Sequence, residues 1–245
     1  MRRALGILAI VICGVTFNHF SQPAHAASAP FQRIFTANFN GQLNRRVWTV
    51  YDGTPSCCDS LWAPSAVSTS GGVLTIDASQ DPLTDRWTSG GISMGRSLNQ
   101  TYGAWSFRFR MDPGVGVKMC ALLWPRQGWP PEIDFAESSS ADANRRELSS
   151  TLHYGSSNSM VHRHLAVDYS AWHTMAVRWT PRRISYRLDG HMWATVTSHI
   201  PDKPMHLGIQ TTVGLSNGNG QPPDSTTPAH VGLHIAWVRV SRYTG

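Results

Sequence analysis

The chemistry that stands out in this chain lies in one segment, Trp129-Pro130-Pro131-Glu132-Ile133-Asp134-Phe135-Ala136-Glu137. It packs three acids into six positions of a sequence in which only 15% of residues are charged. On a regular strand, side chains alternate between faces, so Glu132 and Asp134 share one face and Glu137 takes the other. One β-bulge after Asp134 returns Glu137 to the side of the first two. Three carboxyls crowded on one face cannot all ionise at neutral pH, because like charges raise at least one pKa. Cleavage of a glycosidic bond needs this inequality. One carboxylate attacks the anomeric carbon while another acid protonates the leaving oxygen, about 5–5.5 Å away when configuration is retained. A solvated strand face would explain a lone Glu. Here Ile133, Phe135 and Ala136 interleave with the acids, and Trp124 and Trp129 precede them, which sets the cluster in a structured groove.

The elements that must carry this cluster are strands. From Phe31 onward, short runs rich in Val, Ile, Thr and aromatics are separated by Gly, Pro, Asn and Ser, the punctuation of an all-β chain. Period two is plain in Val73-Leu74-Thr75-Ile76-Asp77, in Ala104-Trp105-Ser106-Phe107-Arg108-Phe109-Arg110-Met111 and in Ala176-Val177-Arg178-Trp179. The run 184–188, then Asp189-Gly190, then 191–194 reads as a hairpin on an Asp-Gly turn. A last strand is expected over 234–240. No sustained 3.6-residue apolar repeat follows the first residues, so the expected fold is two packed antiparallel sheets. Irregular pieces at 52–60, 79–88 and 215–229 are expected to wall a ligand groove on one face.

The whole chain sets outer bounds. Residues 1–26 read as a signal peptide: Met1-Arg2-Arg3, an apolar run over 4–17, then Ala24-His25-Ala26. That run is shorter than the roughly 18 residues of a membrane span, so residues 27–245 are expected as one secreted domain, extracellular or periplasmic, monomeric and without a membrane span. Losing Arg2 and Arg3 lowers the formal charge from +6 to +4. This slight excess sets no partner, and the dispersed Arg residues with no reading module exclude nucleic acid. Export permits a disulfide. Adjacent Cys57 and Cys58 rarely bridge each other, so either one of them pairs with Cys120, or no bridge forms and Cys120 is a small buried strand residue. The eleven His are scattered, with no metal-ligand spacing. No metal and no cofactor are expected.

Glu132-Ile133-Asp134-Phe135-Ala136-Glu137 resembles the bulged E-x-D-x-x-E signature of glycoside hydrolase family 16, the laminarinase, lichenase, agarase and carrageenase group. Supporting pieces occur in matching order: Tyr102-Gly103, Trp124-Pro125, Trp172-His173-Thr174, Val177-Arg178-Trp179, Leu188-Asp189-Gly190 and Val238-Arg239-Val240. The resemblance implies a concanavalin-like β-jelly roll sandwich of two antiparallel curved sheets, with substrate in the concave one. It implies Glu132 as nucleophile, Asp134 as its assistant, and Glu137 as general acid and then base. Trp124 and Trp129 resemble the indoles that stack on sugar rings. His153 is placed on the neighbouring strand, within reach of a carboxylate or a sugar hydroxyl, and Arg108 and Gln210 are further candidates for substrate contact. Trp172 and His173 read as structural.

Two positions depart from the family pattern. Pro131 stands where a Gly usually precedes the first Glu, and Ala236 where many members carry an Asp near a calcium. The implied activity is endo-acting, retaining hydrolysis of a linear polysaccharide, a β-1,3 or mixed β-1,3/1,4 glucan. The competing readings are a transglycosylase that remodels a wall polymer or exopolysaccharide, and a non-catalytic carbohydrate-binding protein on the same scaffold.

Overall fold

The computed structural model describes residues 30–55, 58–214 and 220–245. The segment read as a signal peptide lies outside them. Among the described residues the only helical piece is a single 3₁₀ turn, Pro64–Ala66. Seven strands form one sheet, in the order Ser159–Ala166 (β12), Glu147–Tyr154 (β11), Glu132–Ser138 (β10), Val117–Pro125 (β9), Met205–Val213 (β16), Gly91–Ser93 (β7) and Thr49–Val50 (β2). The other sheet has ten strands. Its main path runs His191–Val196 (β15), Arg183–Leu188 (β14), His173–Thr180 (β13), Gly103–Met111 (β8), His230–Tyr243 (β17), Val73–Gln80 (β5), Trp87–Ser89 (β6) and Leu61–Trp62 (β3). Phe31–Ala37 (β1) adds to β17, and Val67–Ser70 (β4) adds to β5. The β-jelly roll of two antiparallel sheets is thus the observed fold, with one parallel exception in the pairing of β3 with β6.

Alternation decides what each strand gives the core. In β8, Trp105, Phe107, Phe109 and Met111 are fully buried while the residues between them are half-exposed. Phe107 stacks on Phe109 at 4.6 Å and meets Phe135 of the opposite sheet edge-on at 5.7 Å. Burying an aromatic of this size contributes roughly 1.5–3 kcal/mol, and these contacts clamp the acid-bearing strand to the sheet behind it. The same parity corrects one expectation. Arg108 lies between Phe107 and Phe109, so it must point away from the core, and its strand belongs to the ten-stranded sheet. Its guanidinium sits 5.8 Å from the Trp172 ring on the outer surface, not in the groove.

The Asp-Gly hairpin forms as read. Asp189 and Gly190 have φ of 48° and 84°, the positive values a two-residue type I′ turn requires. Asp189 also accepts from the Thr174 amide at 2.7 Å and faces His173 Nδ1 at 2.7 Å, which gives His173 its structural place. The last strand is longer than the period-two run alone indicated, because its first half pairs with β5 and its second with β1. The 79–88 stretch is strand only at its ends, where β5 runs to Gln80 and β6 begins at Trp87, and 81–86 form the expected irregular loop; the stretch belongs to the ten-stranded sheet and does not line the groove. Of the two readings of Cys120 the bridge is not made and the small buried strand residue is observed: Cys120 is a free, buried thiol of β9, whereas Cys58 is disulfide-bonded.

One buried cation organises the approach to the acid strand. Arg145 is fully buried and donates to the carbonyls of Asp112 (2.8 Å), Gly114 (2.8 Å), Val117 (2.9 Å) and Asp142 (3.1 Å). It ties the loop entering β9 to the loop leaving β10, satisfying carbonyls that would otherwise be buried without donors.

Candidate active site

The acids sit at a break in the β10 ladder. Asp134 pairs with Leu122 and Ala136 with Ala121 on β9, while on β11 Asp134 pairs with Thr151 and Glu137 with Ser149. One residue too many lies between Asp134 and Glu137 on both sides, which is a β-bulge. Phe135 and Ala136 both turn to the core, fully buried, and Glu137 regains the face of Glu132 and Asp134. All three carboxyls line one groove of about 870 Å³ on the seven-stranded sheet.

Neighbouring strands supply partners by the same period of two. On β9, Lys118, Cys120, Leu122 and Trp124 face the groove while Met119, Ala121 and Leu123 are fully buried. Lys118 Nζ donates to Glu137 Oε1 at 3.1 Å, and Cys120 Sγ donates to Asp134 Oδ1 at 3.5 Å. From β11, His153 Nε2 stands 3.1 Å from Asp134 Oδ2, and its Nδ1 stands 2.8 Å from Asn158 Oδ1. Trp129 Nε1 donates to Glu132 Oε2 at 2.6 Å, the length of a strong charge-assisted bond. Trp124 and Trp129 are 39% and 45% exposed, with near-parallel rings 6.3 Å apart. Two exposed indoles aligned over a groove give a platform for the apolar faces of sugar rings.

Electrostatics make the acids unequal. Burial, then the Asp134 charge, raises the pKa of Glu132, against the Trp129 donor that favours its ionised form. Glu137 is raised by burial and by Asp134, with Lys118 pulling the other way. Burial disfavours a charged His153, yet its hydrogen bond and attraction to Asp134 prevail and raise its pKa. Both its ring nitrogens face oxygen acceptors, the environment of an imidazolium. The Cys120 thiol is pushed well up by burial and the nearby carboxylates, so it stays a neutral donor. Three carboxyls face two cations, Lys118 and His153. The raised pKa values of Glu132 and Glu137 keep a carboxyl proton within the groove for transfer.

Of the residues the sequence singled out, Glu132, Asp134, Glu137, Trp124, Trp129, His153 and Gln210 meet in this groove, and Arg108 does not. Lys118, Tyr51, Trp62 and His206 also line it without having been singled out. Lys118 carried a readable signal, since it lies on the same strand parity as Trp124. Tyr51 carried none. Its ring lies against Gly91, where a Cβ would come within 2.3 Å of it, and its hydroxyl lies over Gly208, where a Cβ would come within 3.0 Å. Two missing side chains seat it, and burial pushes its hydroxyl pKa up to about 12. The 52–60 stretch does wall the groove, through Thr54, Pro55 and Cys58. Gly220 reaches an adjoining cavity of about 680 Å³, which Glu137 also lines but Glu132 and Asp134 do not. Residues 215–219 lie outside the described residues.

The profile described as Glycosyl hydrolases family 16 matches residues 56–239. The chain is 30% identical over 193 residues to the Endo-1,3-1,4-beta-glycanase ExsH of Rhizobium meliloti (strain 1021), covering 73% of this chain and 39% of that protein. It therefore spans well under half the length of that relative. It is 28% identical to the Beta-glucanase of Bacillus subtilis (strain 168), covering 96% of this chain and 97% of the other. Among solved structures, the laminarinase from Rhodothermus marinus superposes with a TM-score of 0.78 at 22% identity, covering 88% of this chain and 98% of the other. That last likeness speaks to the fold.

Proposed function

Since the chain belongs to glycosyl hydrolase family 16, we propose that it is an endo-acting retaining hydrolase of a linear β-glucan, with Glu132 as nucleophile and Glu137 as acid and base. The observation that carries this reading is the acid cluster at the bulge. Glu132, Asp134 and Glu137 share one groove face beside Lys118 and His153, close enough that Asp134 raises the pKa of both glutamates. The division of labour follows from position. Glu132 lines only the larger cavity, deep and aligned by the Trp129 donor, where an anomeric carbon would be attacked. Glu137 lines both cavities, at the junction where a leaving oxygen departs and water arrives.

In the first step a Glu132 oxygen bonds to the anomeric carbon as the bond to the leaving oxygen breaks, and the Glu137 proton passes to that oxygen. Glu137, now ionised, then takes a proton from water. The resulting hydroxide oxygen bonds to the anomeric carbon, and the ester to Glu132 breaks. Two inversions leave configuration unchanged. Asp134, held by His153 and Cys120, lies beside Glu132 and is the neighbouring charge that acts on it through the cycle.

A β-1,3 or mixed β-1,3/1,4 glucan is the proposed substrate, supported by the names of the relatives. An exported protein acting outside the cytoplasm is proposed from the pattern of residues 1–26. The test is reducing-end release on laminarin, mixed-linkage glucan, agarose and carrageenan, with Glu132→Gln as control. Cleavage of a glucan that the control leaves intact is the expected result. Binding without cleavage across the panel would overturn it in favour of a binding protein, and chain-length redistribution without new reducing ends would overturn it in favour of a transglycosylase.

A further inference from the structure

Four arginines on the sheet opposite the groove stand together with no acid among the described residues beside them. By strand parity Arg178 points outward from β13, between buried Val177 and Trp179, and Arg183 and Arg187 point outward from β14. Arg182 lies in the turn between the two strands. Ser185 faces Arg178 across the ladder, so Arg183 and Arg187 flank it, four residues and roughly 13 Å apart along the strand. All four line a shallow depression of about 460 Å³ with Phe31 and Tyr243, and no carboxyl is among the lining residues. Arg178 lies 5.5 Å from the Phe31 ring, which meets Tyr243 at 5.6 Å.

Two arginines elsewhere on the surface are matched by acids. Arg110 pairs with Asp112 at 2.7 Å and Arg146 with Asp168 at 2.6 Å. In the depression, none of the four forms an ion pair among the described residues, and Arg187 donates only to the Gly190 carbonyl. Burial and the like charge of Arg187 both lower the pKa of Arg178, so the crowding is felt at the cations themselves. A guanidinium fork matches a carboxylate two bonds at a time, and the rings beside it offer the apolar surface a sugar face needs.

We propose that this depression is a second polysaccharide-binding site, taking a glycan chain that bears carboxylate groups. The choice of a glycan over another polyanion rests on the reading of the groove as polysaccharide-cleaving. The site lies on the opposite sheet, so on a β-glucan that also bears carboxylates it can hold one stretch of chain while the groove works on another.

The experiment uses affinity electrophoresis of the full chain carrying Glu132→Gln, through gels containing carboxymethylated linear β-glucan, unmodified β-glucan, or single-stranded DNA at matched ionic strength. The Arg183→Ala/Arg187→Ala variant is expected to lose about tenfold in apparent affinity for the carboxymethylated glucan, a loss of about 1.4 kcal/mol. Its retardation by the unmodified glucan and its melting temperature are expected to stay unchanged. Equal retardation of parent and variant by the carboxymethylated glucan would overturn the site. Retardation by DNA as strong as by that glucan would overturn the glycan assignment. Binding is read without turnover, so failure of the catalytic reading in the cleavage panel leaves this result standing by itself.

Discussion

Strands β8 and β10 face each other across one core, and they treat the period of two differently. In β8 the alternation never breaks: aromatics go inward and Arg108 and Arg110 go outward, where they share the Trp172 ring. In β10 it breaks once, at Phe135 and Ala136, and the acid that a regular ladder would have turned into the core lines the groove. Both strands bury aromatics to the same depth. Burial therefore does not separate scaffold from site in this molecule. The charged residues on the regular strand rest on aromatic surface, and those at the break face one another.

The comparison can be broken most forcefully by truncating a charge on each strand. Glu137→Ala is expected to cut turnover by roughly 10³–10⁴-fold on substrates with poor leaving groups, while Arg108→Met leaves kcat/KM unchanged. Azide should restore turnover of Glu137→Ala on activated glycosides and give a product of retained configuration. An inverted product would make Glu137 the nucleophile. Next in size, Trp129→Phe keeps an aromatic platform but removes the 2.6 Å donor to Glu132, and kcat is expected to fall about tenfold.

Smaller effects sharpen the contrast. Lys118 opposes the raised pKa of Glu137, so Lys118→Met should let that pKa climb. The alkaline limb of kcat/KM, which reports loss of the Glu137 proton, is then expected to move to higher pH, with Lys118→Arg restoring it. The smallest effect concerns stability. Glu132 has a folded pKa raised above its unfolded value, so its favourable contribution is complete below the unfolded value and is lost as pH rises through the folded one. Glu132→Gln should therefore melt about 2–4 °C higher than the parent in mild alkali, a gain of ~1 kcal/mol, and the two melting temperatures should converge near pH 4. Calorimetry at both pH values checks this.

The acids, the bulge and the Asp-Gly hairpin were legible because each is local: a run of charges, one break in a period of two, and a turn that needs two positive φ values. Arg108 shows where local reading stops. Alternation gives its side of the strand, but which sheet the strand joins is fixed by pairings with β13 and β17, far off in sequence. Lys118 was within reach of the same rule and surfaces once β9 is laid beside β10. Tyr51 was out of reach, because its place depends on glycines at 91 and 208, brought under it only by folding. The thiol of Cys120 likewise found Asp134 across the ladder instead of a second cysteine.

Arg145 touches neither the groove nor its acids, yet its donors span the two loops that launch β9 and leave β10. The same loops exchange amide bonds, Gly114 to the Ala143 carbonyl at 2.9 Å and Gly116 to the Ser140 carbonyl at 2.7 Å. Bonded to each other in this way, they are expected to open together. Lys118 lies two residues beyond Gly116, and Glu137 three residues before Ser140. The ion pair at the reacting centre thus inherits its lifetime from a cation on the far side of the strand ends, and the protection of these loops against hydrogen exchange is a measure of how often the proton-transferring pair comes apart.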